Sequence, residues 1–216
     1  MSNQTLEQTV NDELFWDPKV DSEAVAVAAD DGTVTLRGTV GSFRQKREAQ
    51  KAAERVFGVV DVDNLLDVRI LNDKRREDAD VRGDVLQALM LDALVPDSVD
   101  AGVKDGLVTL TGSAPWQFQR EEAAFIAGNV LGVLGVENDI YLDSPVPYAS
   151  DVQDSIKQAL ERDAKIDSDN VAVETINGTA ILTGNVRSWA EHDAAVAAAW
   201  AAPGVTKVDD RLSIFY

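Results

Sequence analysis

Carboxylates make up most of the side chains in this sequence that could do chemistry. The 216 residues include 38 Asp and Glu, 20 Lys and Arg, a single histidine (His192) and no cysteine. Carboxylates can transfer protons in hydrolysis or bind cations, and a histidine can act as a general base. The lack of cysteine excludes disulfides, thiolate metal sites and a catalytic thiol. The sequence has no Ser–His–Asp arrangement, H-x-x-x-H motif or phosphate-binding loop. A paired-carboxylate hydrolase and weak cation binding therefore remain the chemical options.

The acidic residues do not follow the order of a calcium-binding loop. The pairs Asp30-Asp31 and Asp209-Asp210 could help to bind a cation weakly. We predict no catalytic residue, no metal site and no cofactor. The net charge of −18 repels nucleic acid and anionic surfaces, so we expect no nucleic-acid partner.

One basic feature stands against this acidic background. Arg44, Arg47, Lys51 and Arg55 recur at helical spacing, and we call these four residues the basic stripe. The stripe is interpreted as a solvated helix face. The alternatives are contact with an acidic part of the same or another chain, or with anionic lipid.

Four aromatic residues form a second candidate contact patch: Phe15, Trp16, Trp116 and Phe118. We expect them in the loop after a first helix or at the start of a second. Packing in the core or between domains accounts for them, and a surface facing a partner or lipid is the alternative.

Three similar stretches show that the chain is a repeat: GTVTLRG at 32–38, GLVTLTG at 106–112 and GTAILTG at 178–184. Each follows an Asp or Asn, and a Gly-Val pair comes 20 residues after its last glycine. The recurring glycines are Gly32, Gly38, Gly58, Gly106, Gly112, Gly132, Gly178, Gly184 and Gly204. A repeat this regular indicates one supersecondary unit used three times.

A polar residue recurs on the inward row of the last strand of each repeat: Asn64, Asn138 and Asp210. We interpret it as a hydrogen-bond anchor, with a ligand contact as the alternative. His192 occupies the position of Lys46 and Arg120, so it is predicted to be solvent-exposed rather than catalytic.

Hydrophobic periodicity gives each repeat the order helix–strand–strand–helix–strand. The Asp-Gly and Asn-Gly pairs predict type I′ hairpins. Ser42 with Gln45, and Ser188 with Glu191, predict capping boxes on the second helix. The expected domains are 1–72, 80–143 and 150–216, with a stiff proline-containing linker at 144–150. Apolar Leu107 and Ile181 on the outward strand row suggest that the second and third repeats bury part of the second sheet face against something, such as another repeat.

The motifs G-x-V-x-L-x-G and G-V-x-x-V-x-N-x-L in this order resemble the BON (bacterial OsmY and nodulation) domain, three times in tandem. The resemblance implies an α/β (α+β) fold of three small sandwiches, each with a three-stranded mixed sheet and two helices on one face. It also implies a non-enzymatic role in osmotic or envelope stress, with phospholipid or potassium binding in some members.

We therefore expect a non-enzymatic binding or scaffold protein of stress adaptation, acting through domain–domain, ligand or lipid contacts. The alternatives are a potassium-type cation sensor and, less favoured, a carboxylate hydrolase. Expected partners are a second copy of the chain, anionic lipid bound weakly, or a monovalent cation. The N-terminal residues lack the charge and apolar run of a signal peptide, and no segment is apolar enough to span a membrane. A cytoplasmic location is expected on these grounds.

Overall fold

Each repeat folds in the predicted order of helix, two strands, helix and strand. The computed structural model describes residues 2–70, 76–143, 152–163 and 166–215. The first repeat contains α1 (Asn3–Trp16), β1 (Val25–Asp30), β2 (Thr33–Val40), α2 (Phe43–Glu54) and β3 (Asp61–Val68). The second contains α3 (Asp78–Met90), β4 (Asp100–Lys104), β5 (Leu107–Thr111), β6 (Ser113–Ala114), α4 (Gln117–Ala127), β7 (Gly135–Asn138) and β8 (Tyr141–Leu142). The third contains α5 (Val152–Arg162), β9 (Val171–Ile176), β10 (Thr179–Val186), α6 (Trp189–Trp200) and β11 (Lys207–Ile214).

Three strands of each repeat form one mixed sheet, and the second repeat has the two-residue strands β6 and β8 in addition. The middle strand pairs antiparallel with the first and parallel with the third, as in β1–β2–β3, β4–β5–β7 and β9–β10–β11. In the first sheet, Leu36 lies opposite Val27 on one side and Asn64 on the other. This arrangement confirms the predicted fold class of tandem α/β sandwiches. The linker at 144–150 and the boundary residue 72 lie outside the described residues, and the domain boundaries stay a prediction.

Backbone conformation explains two of the recurring sequence features. Asp31 and Gly32 both have positive φ, 45° and 85°, as a type I′ hairpin requires. Gly38 has a φ of 134°, and a Cβ there would lie 2.0 Å from the carbonyl oxygen of Ala24. The same overlap occurs at Gly112 and Gly184. Only glycine therefore allows the second strand to approach the start of the first so closely.

Both helices of a repeat bury one face against the sheet. Leu6, Val10 and Leu14 of α1 share one core with Ala49, Ala52 and Ala53 of α2 and with Val34, Leu36 and Leu66 of the sheet. The third repeat has an equivalent core around Ile156, Leu182 and Ala195. The alanines keep the second helix close to the strands, as their small size predicts.

The predicted caps are present on α2 and α6. The Ser42 hydroxyl accepts the Gln45 N–H, and the Ser188 hydroxyl accepts the Glu191 N–H. The side-chain oxygen of the third helical residue, Gln45 or Glu191, accepts the N–H of the residue before the serine, Gly41 or Arg187. It does not accept the N–H of the serine itself. At each helix start, the serine hydroxyl thus bonds a backbone N–H inside the helix, and the third helical side chain bonds a backbone N–H before it.

The chain divides into two compact units. The larger comprises Met1–Ser113 and Gln119–Tyr141, and the smaller comprises Ala114–Phe118 and Leu142–Tyr216. Leu107 on the outward row of the larger unit is 57% exposed. The expectation that this row packs against something, such as another repeat, stays a prediction. Ile181, the matching residue of the smaller unit, is only half-buried.

Candidate functional site

Two residues of the basic stripe on α2 form contacts with neighbouring elements of the described chain, and the other two do not. Arg55 donates from Nε to Glu13 and from Nη2 to the buried carboxylate of Asp17, both at 2.8 Å. These bonds join α2 to α1. Burial favours the protonated form of Asp17, but the hydrogen bond from Arg55 and that from the Lys19 N–H outweigh it and lower the pKa of Asp17.

Arg47 is turned towards the second repeat within the larger unit. Its guanidinium lies 5.0 Å from the centre of the Phe125 ring and 5.5 Å from that of Phe43. It also donates to Asn129 Oδ1 at 3.1 Å and reaches the Ala124 carbonyl at 3.5 Å. Burial lowers the pKa of Arg47 without bringing it near neutrality. Arg47 therefore links α2 to α4 through aromatic and amide groups, not through acids.

Arg44 and Lys51 are exposed and, unlike the exposed Arg55, form no salt bridge with any described residue. The structure thus leaves two of the four stripe cations fully available to a partner. A role of the stripe in binding stays a prediction.

The aromatic candidates divide between the two compact units. Phe15 and Trp16 are the last residues of α1 rather than part of the following loop, because the helix continues up to its C-cap at Asp17. They meet edge to face at 5.4 Å and are 68% and 78% exposed. In the smaller unit Trp116 is half-buried and Phe118 is 52% exposed. Their use as a contact patch stays a prediction.

The recurrent polar residue of the last strand contacts the second helix in every repeat. Asn64 donates to the Lys46 carbonyl at 2.8 Å, and Asn138 donates to the Arg120 carbonyl at 2.7 Å. In the third repeat Asp210 Oδ2 instead lies 2.7 Å from Nε2 of His192. All three side chains also accept a backbone N–H two residues further along the chain.

His192 is not solvent-exposed as predicted, since only 15% of its side chain is accessible. Its Nδ1 lies 3.2 Å from Asp193 Oδ1, and its ring packs edge-on against Trp189 at 5.1 Å. The hydrogen bond that the ring donates to Asp193, together with Asp210, raises the pKa of His192 despite partial burial. The prediction failed because the position is not a fully exposed one: the aligned residues Lys46 and Arg120 are themselves half-buried.

The aspartate pairs do not converge on a cation. Asp209 and Asp210 are consecutive in β11, so their side chains point to opposite faces of the sheet. Asp209 is bound by Arg211 at 2.6 Å, and Asp210 is bound by His192. Asp30 accepts a hydrogen bond from Asn3, whose Oδ1 accepts the Asp31 N–H. Among the residues that the structure describes, no three His, Asp or Glu side chains gather closely enough to hold a metal ion.

An apolar groove at the C-terminal end of α3 was missed by sequence reasoning. We call this cavity of about 340 Å³ the α3 groove, and its lining is Leu86, Leu89, Met90, Val95, Pro96, Asp97 and Val99. Met90 and Leu91 are each 75% exposed beside it, and Leu94 is 48% exposed. In the third repeat the sequence positions matching these three residues are Glu161, Arg162 and Lys165. The apolar rim is thus absent from the third repeat.

A second cavity, of about 440 Å³, lies at the other end of α3 and is mostly polar. The Asp78 carboxylate at its wall accepts the N–H groups of Asp105 and Gly106 at 2.8 and 3.0 Å. These bonds hold the β4–β5 turn against the helix start, so this carboxylate is engaged structurally.

Of the helices described, none is long and apolar enough to cross a membrane.

The repeated two-layer module and its helix anchors define a class of small α/β domains, and comparison with known proteins identifies the class. The family model of the BON domain matches residues 2–70, 77–143 and 149–214. This chain belongs to the BON domain family, with three tandem copies.

A curated relative supports this membership. Osmotically-inducible protein Y of Escherichia coli (strain K12) is 32% identical over 145 residues, which are 65% of this chain and 72% of the relative. Two solved structures of CdsD, a structural protein of the type III secretion system of Chlamydia trachomatis, are 16% identical with a TM-score of 0.28. They cover 98% and 100% of this chain, and 92% and 100% of their own. A TM-score this low carries no argument about the present fold.

Proposed function

We propose that this chain is a non-enzymatic binding protein of osmotic-stress adaptation, and that the α3 groove binds a segment of a partner protein. The osmotic assignment is supported by the relative named osmotically-inducible protein Y. The binding assignment is carried by one observation, the exposed apolar side chain of Met90 in the lining of the groove, with exposed Leu91 and Leu94 close by in sequence. Exposed apolar surface beside a concave site is typical of protein interaction surfaces.

The charge around the groove selects a basic amphipathic segment as its occupant. Asp97 lines the groove, and Asp92 lies in the turn beside it. Residues 80–143 contain eleven acidic and three basic residues. The apolar face of an amphipathic helix would fill the groove, and Lys or Arg on its other face would pair with the surrounding negative charge. A second copy of the chain is disfavoured as occupant, because chains of net charge −18 repel each other.

A hydrolytic function is less well supported by the same geometry. Both ring nitrogens of His192 already face carboxylates, at 3.2 Å and 2.7 Å. A general base needs a nitrogen that can reach the proton of a substrate or water.

Lipid and cation binding are likewise less favoured. Arg47 and Arg55 are committed to protein contacts, which leaves Arg44 and Lys51 for anionic lipid. Asp209 and Asp210 face opposite sides of their sheet, which disfavours a potassium-type site there. The cytoplasmic location expected from the N-terminal residues has no support among the relatives and stays a prediction.

The binding proposal is tested with a labelled amphipathic helix of leucine and lysine, titrated with the full chain and followed by fluorescence anisotropy. The double variant Leu86→Gln, Met90→Gln replaces two residues that line the groove and should weaken binding about tenfold or more, since burying one such side chain contributes ~1.5–3 kcal/mol. Leu131→Gln is the matched control, because Leu131 is 63% exposed in the same repeat but does not line the groove.

Two outcomes would contradict the binding proposal. One is equal affinity of the double variant and the control. The other is equal affinity for a scrambled peptide of the same composition, which would indicate charge attraction alone. The osmotic assignment has its own test: the transcript should rise after a hyperosmotic shift, and an unchanged level would refute that part while leaving the groove untouched.

A further inference from the structure

The third repeat holds its second helix on the sheet by different chemistry from the other two. In the first two repeats a neutral amide, Asn64 or Asn138, donates to a main-chain carbonyl of the helix. These bonds do not titrate near neutral pH. Asp210 cannot make the same bond as a carboxylate, because it has no proton to donate to a carbonyl. The ring of His192, which is the residue at the equivalent helix position, supplies the donor instead.

The surroundings of His192 make this link depend on its proton. Two carboxylates face the ring: Asp210 from β11 and Asp193 from its own helix. The imidazolium can donate to both at once, whereas a neutral ring donates to one and presents a lone pair to the other. Glu191 is turned away, because it accepts the N–H groups of Asp167 and Arg187. The uncharged ring of Trp189 packs edge-on against the His192 ring.

We propose that His192 and Asp210 form a pH-sensitive clasp between α6 and β11, which loosens as the imidazolium loses its proton. The other two repeats have neutral anchors and lack this response. The inference does not depend on what the α3 groove binds, since every group in the clasp belongs to the third repeat.

The direction of the response follows from the linkage between protonation and folding. The folded state raises the pKa of His192, so it binds the proton more tightly than the unfolded chain does. The resulting stabilisation is fully present below the unfolded value of about 6.5. It is lost as the pH rises through the folded value. The clasp therefore holds below the ordinary histidine pKa of about 6.5 and weakens as the pH rises past the higher folded-state pKa.

Hydrogen–deuterium exchange of the full chain tests the clasp with internal controls. Protection factors, corrected for the intrinsic pH dependence of exchange, are compared between pH 5.5 and pH 8 for peptides from α6 and β11. We expect protection there to fall about two- to fivefold, the range for a partly exposed ion pair. Peptides from α2 with β3, and from α4 with β7, should keep their protection. An equal change in all three repeats, or none in the third, would overturn the proposal.

Two variants separate the clasp from a general effect of pH on the third repeat. Asp210→Asn restores the amide used by the other repeats, and His192→Lys installs the residue type of Lys46, which stays charged to about pH 10. Both should remove the pH-dependent loss of protection. NMR titration of the His192 ring in the unaltered chain should give a pKa above the ordinary histidine value. Loss of protection that persists in Asp210→Asn, or an ordinary or lowered histidine pKa, would refute the clasp.

Discussion

Replacing Gly38 by alanine tests the close approach on which each repeat depends. Gly38 lies in β2 opposite Val25, with a φ of 134° that alanine rarely adopts. An added Cβ would lie 2.0 Å from the Ala24 carbonyl oxygen and 3.1 Å from its carbonyl carbon. Both atoms are backbone, so no side-chain rotation can relieve the overlap. The start of β1 must move by more than an ångström, or the strand pair must open.

We expect Gly38→Ala to lower the free energy of unfolding by about 3 kcal/mol or more. A residue held at an unfavourable positive φ costs ~1–3 kcal/mol by itself, and the backbone overlap adds to that. Urea unfolding of the full chain followed by circular dichroism measures the loss. Hydrogen exchange should place the loss in β1 and β2, because the atoms nearest to the added Cβ belong to Ala24 and Val25 at the start of β1.

Gly83→Ala is the matched control for this substitution. Gly83 lies exposed within α3, and a Cβ there would meet no atom within 4 Å. Alanine should therefore stabilise the helix by about 0.5–1 kcal/mol. If Gly38→Ala and Gly83→Ala shifted the unfolding midpoint in the same direction, the steric reasoning would be refuted.

Three further predictions concern the basic stripe. Arg55→Gln should reduce the stability that the protein loses on acidification. Arg55 helps to lower the pKa of Asp17, and this contributes stability above about pH 4 that disappears below it. If the urea midpoints at pH 6 and pH 3 were as far apart in the variant as in the unaltered chain, this prediction would be contradicted. Arg47→Ala should lower the free energy of unfolding by ~1–2 kcal/mol through lost cation–π and hydrogen-bond contacts. Arg44→Ala should change the free energy of unfolding by no more than ~0.5 kcal/mol. Equal shifts of the thermal unfolding midpoint in the two variants would count against the contact of Arg47 with Phe125. Anionic vesicles should float little protein at physiological salt, and any binding at low salt should vanish when the whole stripe becomes glutamine; strong binding that survived would point to the aromatic residues.

The local parts of the fold could be predicted because their causes lie within a few residues. A hairpin that needs positive φ at two positions shows itself as Asp-Gly or Asn-Gly, and Asp31 with Gly32 follows that rule. The alternation of Val34 and Leu36 decides which strand face is buried. Ser42 and Gln45 predict the helix start because a cap involves neighbours only. Three copies of the same pattern made each of these interpretations stronger.

The contacts of the candidate site could not be predicted, because they join residues far apart in sequence. Arg47 meets Asn129, which is 82 residues away, and nothing in either local pattern indicates the pairing. The α3 groove is lined by residues of α3 and of the segment that follows it, and no local pattern indicates that they form a cavity. His192 was misjudged from its aligned residues alone. The signal that could have corrected it was the joint change to His192 and Asp210 in the third repeat.

Methyl-resolved NMR of the full chain, titrated with the amphipathic leucine–lysine helix, tests the central claim most directly. We predict that the largest shift changes fall on the methyl groups of Leu86, Leu89, Val95 and Val99, which line the α3 groove. Methyl groups of Leu14 and Leu160, at the ends of the equivalent helices, should be unaffected. Changes spread evenly over all three repeats, or concentrated near Leu14 beside Phe15 and Trp16, would contradict the assignment of the α3 groove as the binding site.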